Sequence, residues 1–450
     1  MKSSVIDKYL RDWAEPEVAH LKHLINTLKI ASTPAPTNAA NQAEVVITVP
    51  AFDEHATWWQ QYSDNLAHHK IWWIWVFNAP DNLVDRERYQ QQAMAHQRIQ
   101  RQLQNSLIAG PITLGHLTQN HRVLLVDRFS QPLPHRQGVG LARKIGNDLG
   151  LLLIHQGLIE KPWLLNTDAD VTLPENLLTH EQTITRFNST TLSAFQFGFE
   201  HISANPSYTE STWCYDQYLR YHYKGLCYAG SPYAYTTIGS LLAVAAPYYA
   251  AVRGFPKQAA GEDFYLMNKL RKLGSINTLS NPKITVSGRP SHRVPYGTGP
   301  TLSRWNGKSR HERRVWSPSV YCQLKDLLSH CRKHLIANDA ASSGCIDSHN
   351  ILAQMPKANA EILDALGFSQ WLNRAKLNQP YKAHERPPQQ RLQAFHDWFD
   401  GLKTQQFIRR MAEHHGHITI AEAAGYWQKQ QTPSPTDNCP NTAFARPPMR

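Results

Sequence analysis

Asp168-Ala169-Asp170 places two carboxylates one residue apart, directly after the apolar run Trp163-Leu164-Leu165. Oxygen donors at that spacing, at the mouth of a buried strand, suit Mg2+ or Mn2+, which usually reach a substrate diphosphate through one or two carboxylates. The same residues also suit a turn with a helix cap. A second acidic pair, Glu262-Asp263, follows Gly261 and opens a segment with helical apolar spacing. Acids there complement a helix dipole, and the same rigid place lets a carboxylate act as general base on a hydroxyl. Ile47 to Glu54 is a β-branched run that ends in Pro50-Ala51-Phe52, a flat, small-residue edge against which an aromatic base can lie. Gly138-Val139-Gly140-Leu141-Ala142-Arg143-Lys144 allows close backbone approach and sets two cations at a helix start, which suits a phosphate-bearing ligand. Its spacing is not that of the dinucleotide fingerprint.

The elements that must position these residues are legible from pattern. Val45–Val49, Ile71–Phe77, Val123–Val126 and Trp163–Leu165 are short apolar runs and read as strands. The Gln-rich stretch from Asp85 to Gln104 and the segment from Gly138 to His155 read as helices between them. Alternation of this kind predicts an α/β domain with a mainly parallel sheet, whose ligands bind at the carboxyl ends of the strands. Residues 1–30 read as one helix and 31–43 as a linker. Beyond about residue 305 the texture is polar and helical, with amphipathic stretches at Val320–Leu335, Ala358–Leu377, Arg391–Phe407 and Ile418–Gln430. The Pro-rich end reads as disordered.

The chain has 450 residues and a net charge of +12, of which residues 301–450 carry 20 basic against 12 acidic side chains. A basic C-terminal region suits an acidic partner, such as a phosphorylated substrate or an anionic membrane surface. The excess is scattered and accompanies no nucleic-acid motif. The six cysteines show neither a CxxC pair nor zinc-ligand spacing, which predicts reduced thiols. No run reaches the length of a membrane helix and the N-terminus has no signal-like apolar core, so the expected location is cytoplasmic, with peripheral contact at the inner face of a membrane.

Taken in order, these motifs resemble the family 2 glycosyltransferases, nucleotide-sugar enzymes of the GT-A fold. Ile47–Glu54 is similar to that family's opening strand, with Phe52 and Asp53 in place of its Tyr and Asn. Arg143 matches the Arg of its Ala-Arg-Asn segment, with Lys144 replacing Asn. Asp168 and Asp170 match its metal-binding pair, and Gly254-Phe255 with Glu262-Asp263 match its acceptor-side motif. The resemblance covers residues 45–300. Where the family carries an acidic loop after its second strand, this chain has Phe77-Asn78-Ala79-Pro80-Asp81, and Asn78 becomes the candidate contact to a base. The resemblance further implies His292 as a third metal ligand, Arg289 and Arg293 as diphosphate contacts, and Trp213 and Tyr215 in an acceptor site. Most other tryptophans, including Trp72, Trp73, Trp75 and Trp163, fall on strands and read as core.

These expectations combine into a metal-dependent glycosyltransferase using Mn2+ or Mg2+. Pro50, Ala51, Phe52, Glu54, Asn78, Arg143 and Asp168 would hold a nucleoside diphosphate-sugar. Asp263 would take the proton of an acceptor hydroxyl in a single inverting displacement, with Glu262 orienting the acceptor, an anionic saccharide or a lipid-linked sugar. The rivals are a nucleotidyltransferase and a non-catalytic protein that binds anions or nucleic acid. The implied organisation is an N-terminal helix and linker (1–43), a GT-A-like domain (44–303), a mostly helical region (304–430) and a tail (431–450).

Overall fold

Val45–Ala51 is apolar apart from Thr48 and buried along its whole length, as a strand covered on both faces must be. It forms β1 at the centre of the sheet. A computed structural model describes residues 2–31, 42–55, 57–291, 297–336, 346–377 and 387–428. Most of the expected linker and the whole expected tail lie outside the described residues. The described chain divides into two units: residues up to Thr212 with Thr237–Arg304, and Trp213–Thr236 with the residues from Trp305 onward. The short stretch 213–236 therefore belongs with the C-terminal helices, although sheet residues precede and follow it in sequence.

The first unit is built on one ten-stranded sheet. Its strands are β1, β2 (Ile71–Pro80), β3 (Gln104–Ala109), β4 (Ile112–His116), β5 (His121–Leu133), β6 (Trp163–Asn166), β7 (Val171–Thr172), β8 (Leu192–Ile202), β9 (Leu242–Ala245) and β10 (Ser275–Ser287). They run in the order β3-β4-β5-β2-β1-β6-β9-β8-β10-β7. The central β5, β2, β1 and β6 are parallel neighbours, whereas β9 is antiparallel to both β6 and β8. The sheet is therefore mixed around a parallel core. From β1 the chain builds outward through β2 and β5 on one side, then returns to β6 on the other. That reversal makes a topological switch point at the carboxyl ends of β1 and β6, the place where open α/β sheets bind ligands.

Residues 1–30 form two helices, not one: α1 (Lys2–Asp12) and α2 (Glu17–Ala31). Pro16 disfavours helical geometry at the residue before it and breaks the run. Next along the chain come α3 (Gln60–Asn65), α4 (Arg86–Gln100) and α5 (Gly138–His155). The last of these packs on β1 and β2. A Cβ at Gly146 would lie 2.3 Å from Thr48 Cγ2, and one at Gly150 would lie 2.9 Å from Leu164 Cδ2. Glycines four apart thus let this helix sit close on the strands. The segment after α4 continues as the β3–β4 hairpin, which adds to the edge of β5. The rest of the unit holds α6 (Glu181–Phe187), α8 (Ala246–Ala251), α9 (Glu262–Arg271) and most of α10 (Thr298–Trp305).

The second unit is mostly helical. It contains α7 (Thr209–Tyr228) from Trp213 onward, α11 (Pro318–Ile336), α12 (Ser348–Ala353), α13 (Lys357–Ala365), α14 (Phe368–Arg374) and the helices Pro388–Trp398 and Gly401–His415. Two of the expected amphipathic stretches are each broken into two helices, at Leu366-Gly367 and at Phe399-Asp400. Gly367 takes a positive φ of 94°, and Asp400 caps the next helix through bonds from the Leu402 and Lys403 N–H groups. The start of the expected Ile418–Gln430 helix is instead a strand, His417–Thr419, paired antiparallel with Arg314–Trp316. Among the described residues no helix is long and apolar enough to cross a membrane.

Candidate functional site

Arg143 lies on α5 with 3% of its surface exposed. Its Nη2 donates to Asp168 Oδ1 at 2.6 Å and its Nε donates to Glu262 Oε1 at 3.0 Å. One guanidinium thus joins the acidic loop after β6 to the acidic start of α9. Gly239 gives it room, since a Cβ there would lie 2.7 Å from Arg143 Nη2; at Gly140 a Cβ would lie 2.5 Å from the carbonyl oxygens of Pro256 and Gln258. The close approach that Gly140 permits is therefore to the backbone ahead of α9, where its N–H donates to Gln258 O at 3.0 Å. Lys144 faces elsewhere. It is 4% exposed and donates to Asp148 Oδ2 at 2.7 Å, the Tyr9 hydroxyl at 2.8 Å and the Trp13 carbonyl at 2.9 Å. Consecutive helical residues point about 100° apart, so the two cations serve different sides of α5.

Gly261 takes φ 74° as the N-cap of α9, a left-handed turn that favours glycine, and it sets Glu262 and Asp263 in the first helical turn. Glu262 is 5% exposed and tied to Arg143. Asp263 is half-buried, and its Oδ1 accepts from the Phe264 N–H at 2.7 Å. Burial, then the charge of Glu262, pushes the Asp263 carboxyl up to about 7, against the opposing pull of the Phe264 N–H and Arg143. A carboxylate poised there is matched to general-base work near neutral pH.

Asp170 meets a different arginine. Arg289, just past β10, donates from Nε to Asp170 Oδ2 at 3.0 Å and from Nη2 to both oxygens of Glu54, at 2.6 and 2.8 Å. The Asp168–Asp170 loop is braced from α3. The Tyr62 hydroxyl donates to the Asp168 carbonyl, and Gln61 Nε2 donates to the Val171 carbonyl at 2.9 Å. Burial, then the charges of Asp170, Asp168 and Glu54, pushes the Tyr62 phenol well above its ordinary value. Tyr62 is therefore a neutral donor beside three carboxylates.

Pro50 and Ala51 end β1 in register with Val76 and Phe77 of β2, which places Phe52 just past the end of β1 and Asn78 on the next position of β2, still paired with β5. A residue that pattern reading missed holds these ends together. Gln92 of α4, 4% exposed, donates to the carbonyls of Ala51 and Asn78 at 2.6 and 3.2 Å and accepts from the Asp53 N–H at 3.2 Å. Helical phase was the available signal, since the buried positions of α4 are Gln92, Ala95, His96 and Ile99. Tyr62 was missed too, and nothing in the sequence around α3 marks it. Asn78 is 7% exposed, and its Oδ1 is buried without a hydrogen-bond partner, a deficit that a ligand donor would satisfy.

The structure thus brings Pro50, Ala51, Phe52, Glu54, Asn78, Arg143, Asp168, Asp170, Glu262, Asp263 and Arg289 into the first unit. Trp213 and Tyr215 belong to the second unit. There the Arg310 guanidinium lies 4.7 Å from the centre of the Trp213 ring, and Tyr215 packs against Tyr218 and Trp305 with ring centres 6.3 Å apart in each case. His292 and Arg293 lie outside the described residues. Among the described residues no group of three His, Cys, Asp or Glu side chains is arranged to hold a metal ion. Asp168 and Asp170 offer oxygen donors of the kind that Mg2+ or Mn2+ takes through one or two carboxylates. No protein-family model matches the chain, and no curated protein is found to be similar to it.

Proposed function

We propose that the first unit is a GT-A-type glycosyltransferase that moves a sugar from a nucleoside diphosphate-sugar to an acceptor hydroxyl. The observation that carries this reading is Arg143, which ties Asp168 to Glu262 beside Asp263. A donor-side acidic loop and an acceptor-side acidic helix start then share one buried cation, so their carboxylates are fixed relative to each other. The resemblance to family 2 glycosyltransferases over residues 45–300 supports the same assignment.

In this mechanism the base stacks beside Pro50, Ala51 and Phe52, with Asn78 Oδ1 accepting a hydrogen bond from it. Asp168 and Asp170 would hold Mg2+ or Mn2+, which supplies positive charge against the diphosphate as its negative charge grows. Asp263 takes the proton of the acceptor hydroxyl as that oxygen bonds to the anomeric carbon. The bond from that carbon to the diphosphate breaks with its electron pair leaving on the nucleotide. One displacement inverts the anomeric centre. A diphosphate leaving group needs no protonating acid, unlike the sugar oxygen in a glycosidase. Glu262, locked by Arg143, keeps Asp263 in place and holds its affinity for a proton high.

A panel of nucleotide-sugars, each with and without Mn2+, tests the reading by thermal stabilisation. At least one should raise Tm in a metal-dependent way, and Asp263→Asn should leave that shift intact while lowering transfer by roughly 10²–10⁴-fold. A chain that no nucleotide-sugar stabilises, or an Asp263→Asn variant with normal turnover, would remove the assignment. Release of pyrophosphate during turnover would replace it with nucleotidyl transfer.

A further inference from the structure

Both acids of the Asp168–Asp170 loop carry a guanidinium, but in different ways. Arg143 is sealed in, with its side chain 4% exposed, and it also holds Glu262. Arg289 has a side chain 38% exposed and is gripped by Glu54, 8% exposed, and by Asp170, 22% exposed. The Arg289–Glu54 contact is forked, with one terminal nitrogen reaching both carboxylate oxygens, whereas Asp170 receives only Nε. A guanidinium aimed at Asp170 takes the charge position that a divalent cation on the same carboxylate would take. The two compete for Asp170, because two positive charges on one partly buried carboxylate repel each other.

We propose that Arg289 is an exchangeable counter-ion: it neutralises Asp170 and Glu54 while the site is empty, and it leaves Asp170 for the substrate diphosphate when a divalent cation enters. This deepens the transferase reading and rests on it for the identity of the diphosphate. The arrangement couples the two ligands. Metal alone must displace Arg289 Nε from Asp170 and leave the guanidinium with Glu54 alone, so it binds weakly. With a diphosphate present, the displaced guanidinium has a bidentate partner suited to its planar fork. The acidic loop is then never left as bare paired carboxylates, whose mutual repulsion would otherwise oppose folding. Tyr62, kept neutral among the same carboxylates, braces the loop without competing for the cation.

The test measures Mn2+ binding to the full chain, first alone and then with UDP, GDP or ADP, by calorimetry and water-proton relaxation. Arg289→Gln should tighten binding of Mn2+ alone by roughly tenfold, the loss of a charge-assisted hydrogen bond that the metal no longer has to break. Arg289→Lys keeps the charge and loses the fork, so it too should bind Mn2+ more tightly than wild type. In both variants the further tightening of Mn2+ by nucleotide should shrink. Melting curves confirm folding, and Asp170→Asn should bind Mn2+ poorly in every case. Unchanged or weaker Mn2+ binding in both Arg289 variants overturns the exchange. A lysine variant that behaves as wild type also overturns it, because only long-range charge would then matter, as does full nucleotide tightening in the variants. If both variants tighten Mn2+ while no nucleotide binds the wild-type chain, the exchange stands and the transferase reading falls.

Discussion

A proton on Asp263 is the most consequential detail at the level of single residues, because it sets opposite pH trends for stability and turnover. The folded carboxyl sits at about 7, raised by burial and by Glu262, against about 3.9 in an unfolded chain. The unfolded state therefore gives up its proton first as pH rises. The stability that protonated Asp263 contributes is complete below about pH 4 and is lost between about pH 4 and 7. Asn at this position never ionises, so Asp263→Asn should be as stable as wild type near pH 4 and more stable by roughly 4 kcal/mol at pH 8. Turnover runs the other way, because a general base works only when ionised. Wild-type activity should climb through about pH 7, and the residual activity of the variant should lack that limb. Paired melting curves and pH–rate profiles check both trends, with Glu262, Arg143 and Asp168 as the charged neighbours that set them. A variant that is less stable than wild type at pH 8 would mean that the carboxylate is held ionised and serves as a helix-start acid.

Helix α5 carries the lesson at the scale of elements: it presents Arg143 to the acidic cluster and Lys144 to a separate buried network. Tyr9 of α1 and Tyr249 of α8 donate to Asp148 Oδ1 at 2.6 and 2.8 Å, and the Glu15 N–H donates to Asp148 Oδ2 at 2.9 Å. This network ties α1 and the break after it to the helix that holds Arg143. Tyr9→Phe should cost about 1.5–3 kcal/mol, the value of a lost hydrogen bond to a charged group. Asp148→Asn should cost more, up to about 3–5 kcal/mol, because it leaves the buried Lys144 with Glu15 Oε1, 3.4 Å away, as its remaining counter-charge. Chemical denaturation of the two variants separates these values, and equal small losses would show that Glu15 neutralises Lys144 without Asp148. Much of this element was legible from the sequence: β1, β2, β5, β6, α4 and α5 all follow from apolar runs and glycine positions. What adjacent letters could not show was the direction of each side chain. Arg143 and Lys144 read as one phosphate-binding pair until the helix turns them apart, and Gln92 read as one of several glutamines until the phase of α4 turned it inward. The Asp168, Asp170, Glu262 and Asp263 motifs were legible because a strand end or helix start fixes direction by itself. The two arginines that neutralise them come from distant parts of the chain, and only the fold brings them there.

For the molecule as a whole, the question is where it can be cut. The sequence places a boundary near residue 304, with a basic helical region beyond it. The structure makes that region depend on an earlier segment. Cys214, Tyr221, Leu226, Ala229 and Ala234 share one buried core with Val320, Tyr321, Leu324 and Leu328 of α11 and with Phe395, Phe407 and Met411 of the last two long helices. Gly225 shows how tight that core is: a Cβ there would lie 2.6 Å from the Tyr321 ring. A chain ending near residue 310 keeps α7 and removes α11 and the helices beyond it. Each large apolar side chain so uncovered loses about 1.5–3 kcal/mol of burial, and the exposed strip invites association. The truncated chain should therefore be recovered largely as aggregate, with increased binding of an apolar dye, whereas a chain ending at 428 should melt as the full protein does. Gel filtration and melting curves on the two distinguish the cases. A monomeric, cooperatively melting 1–310 chain would show that α7 needs no cover from the C-terminal helices.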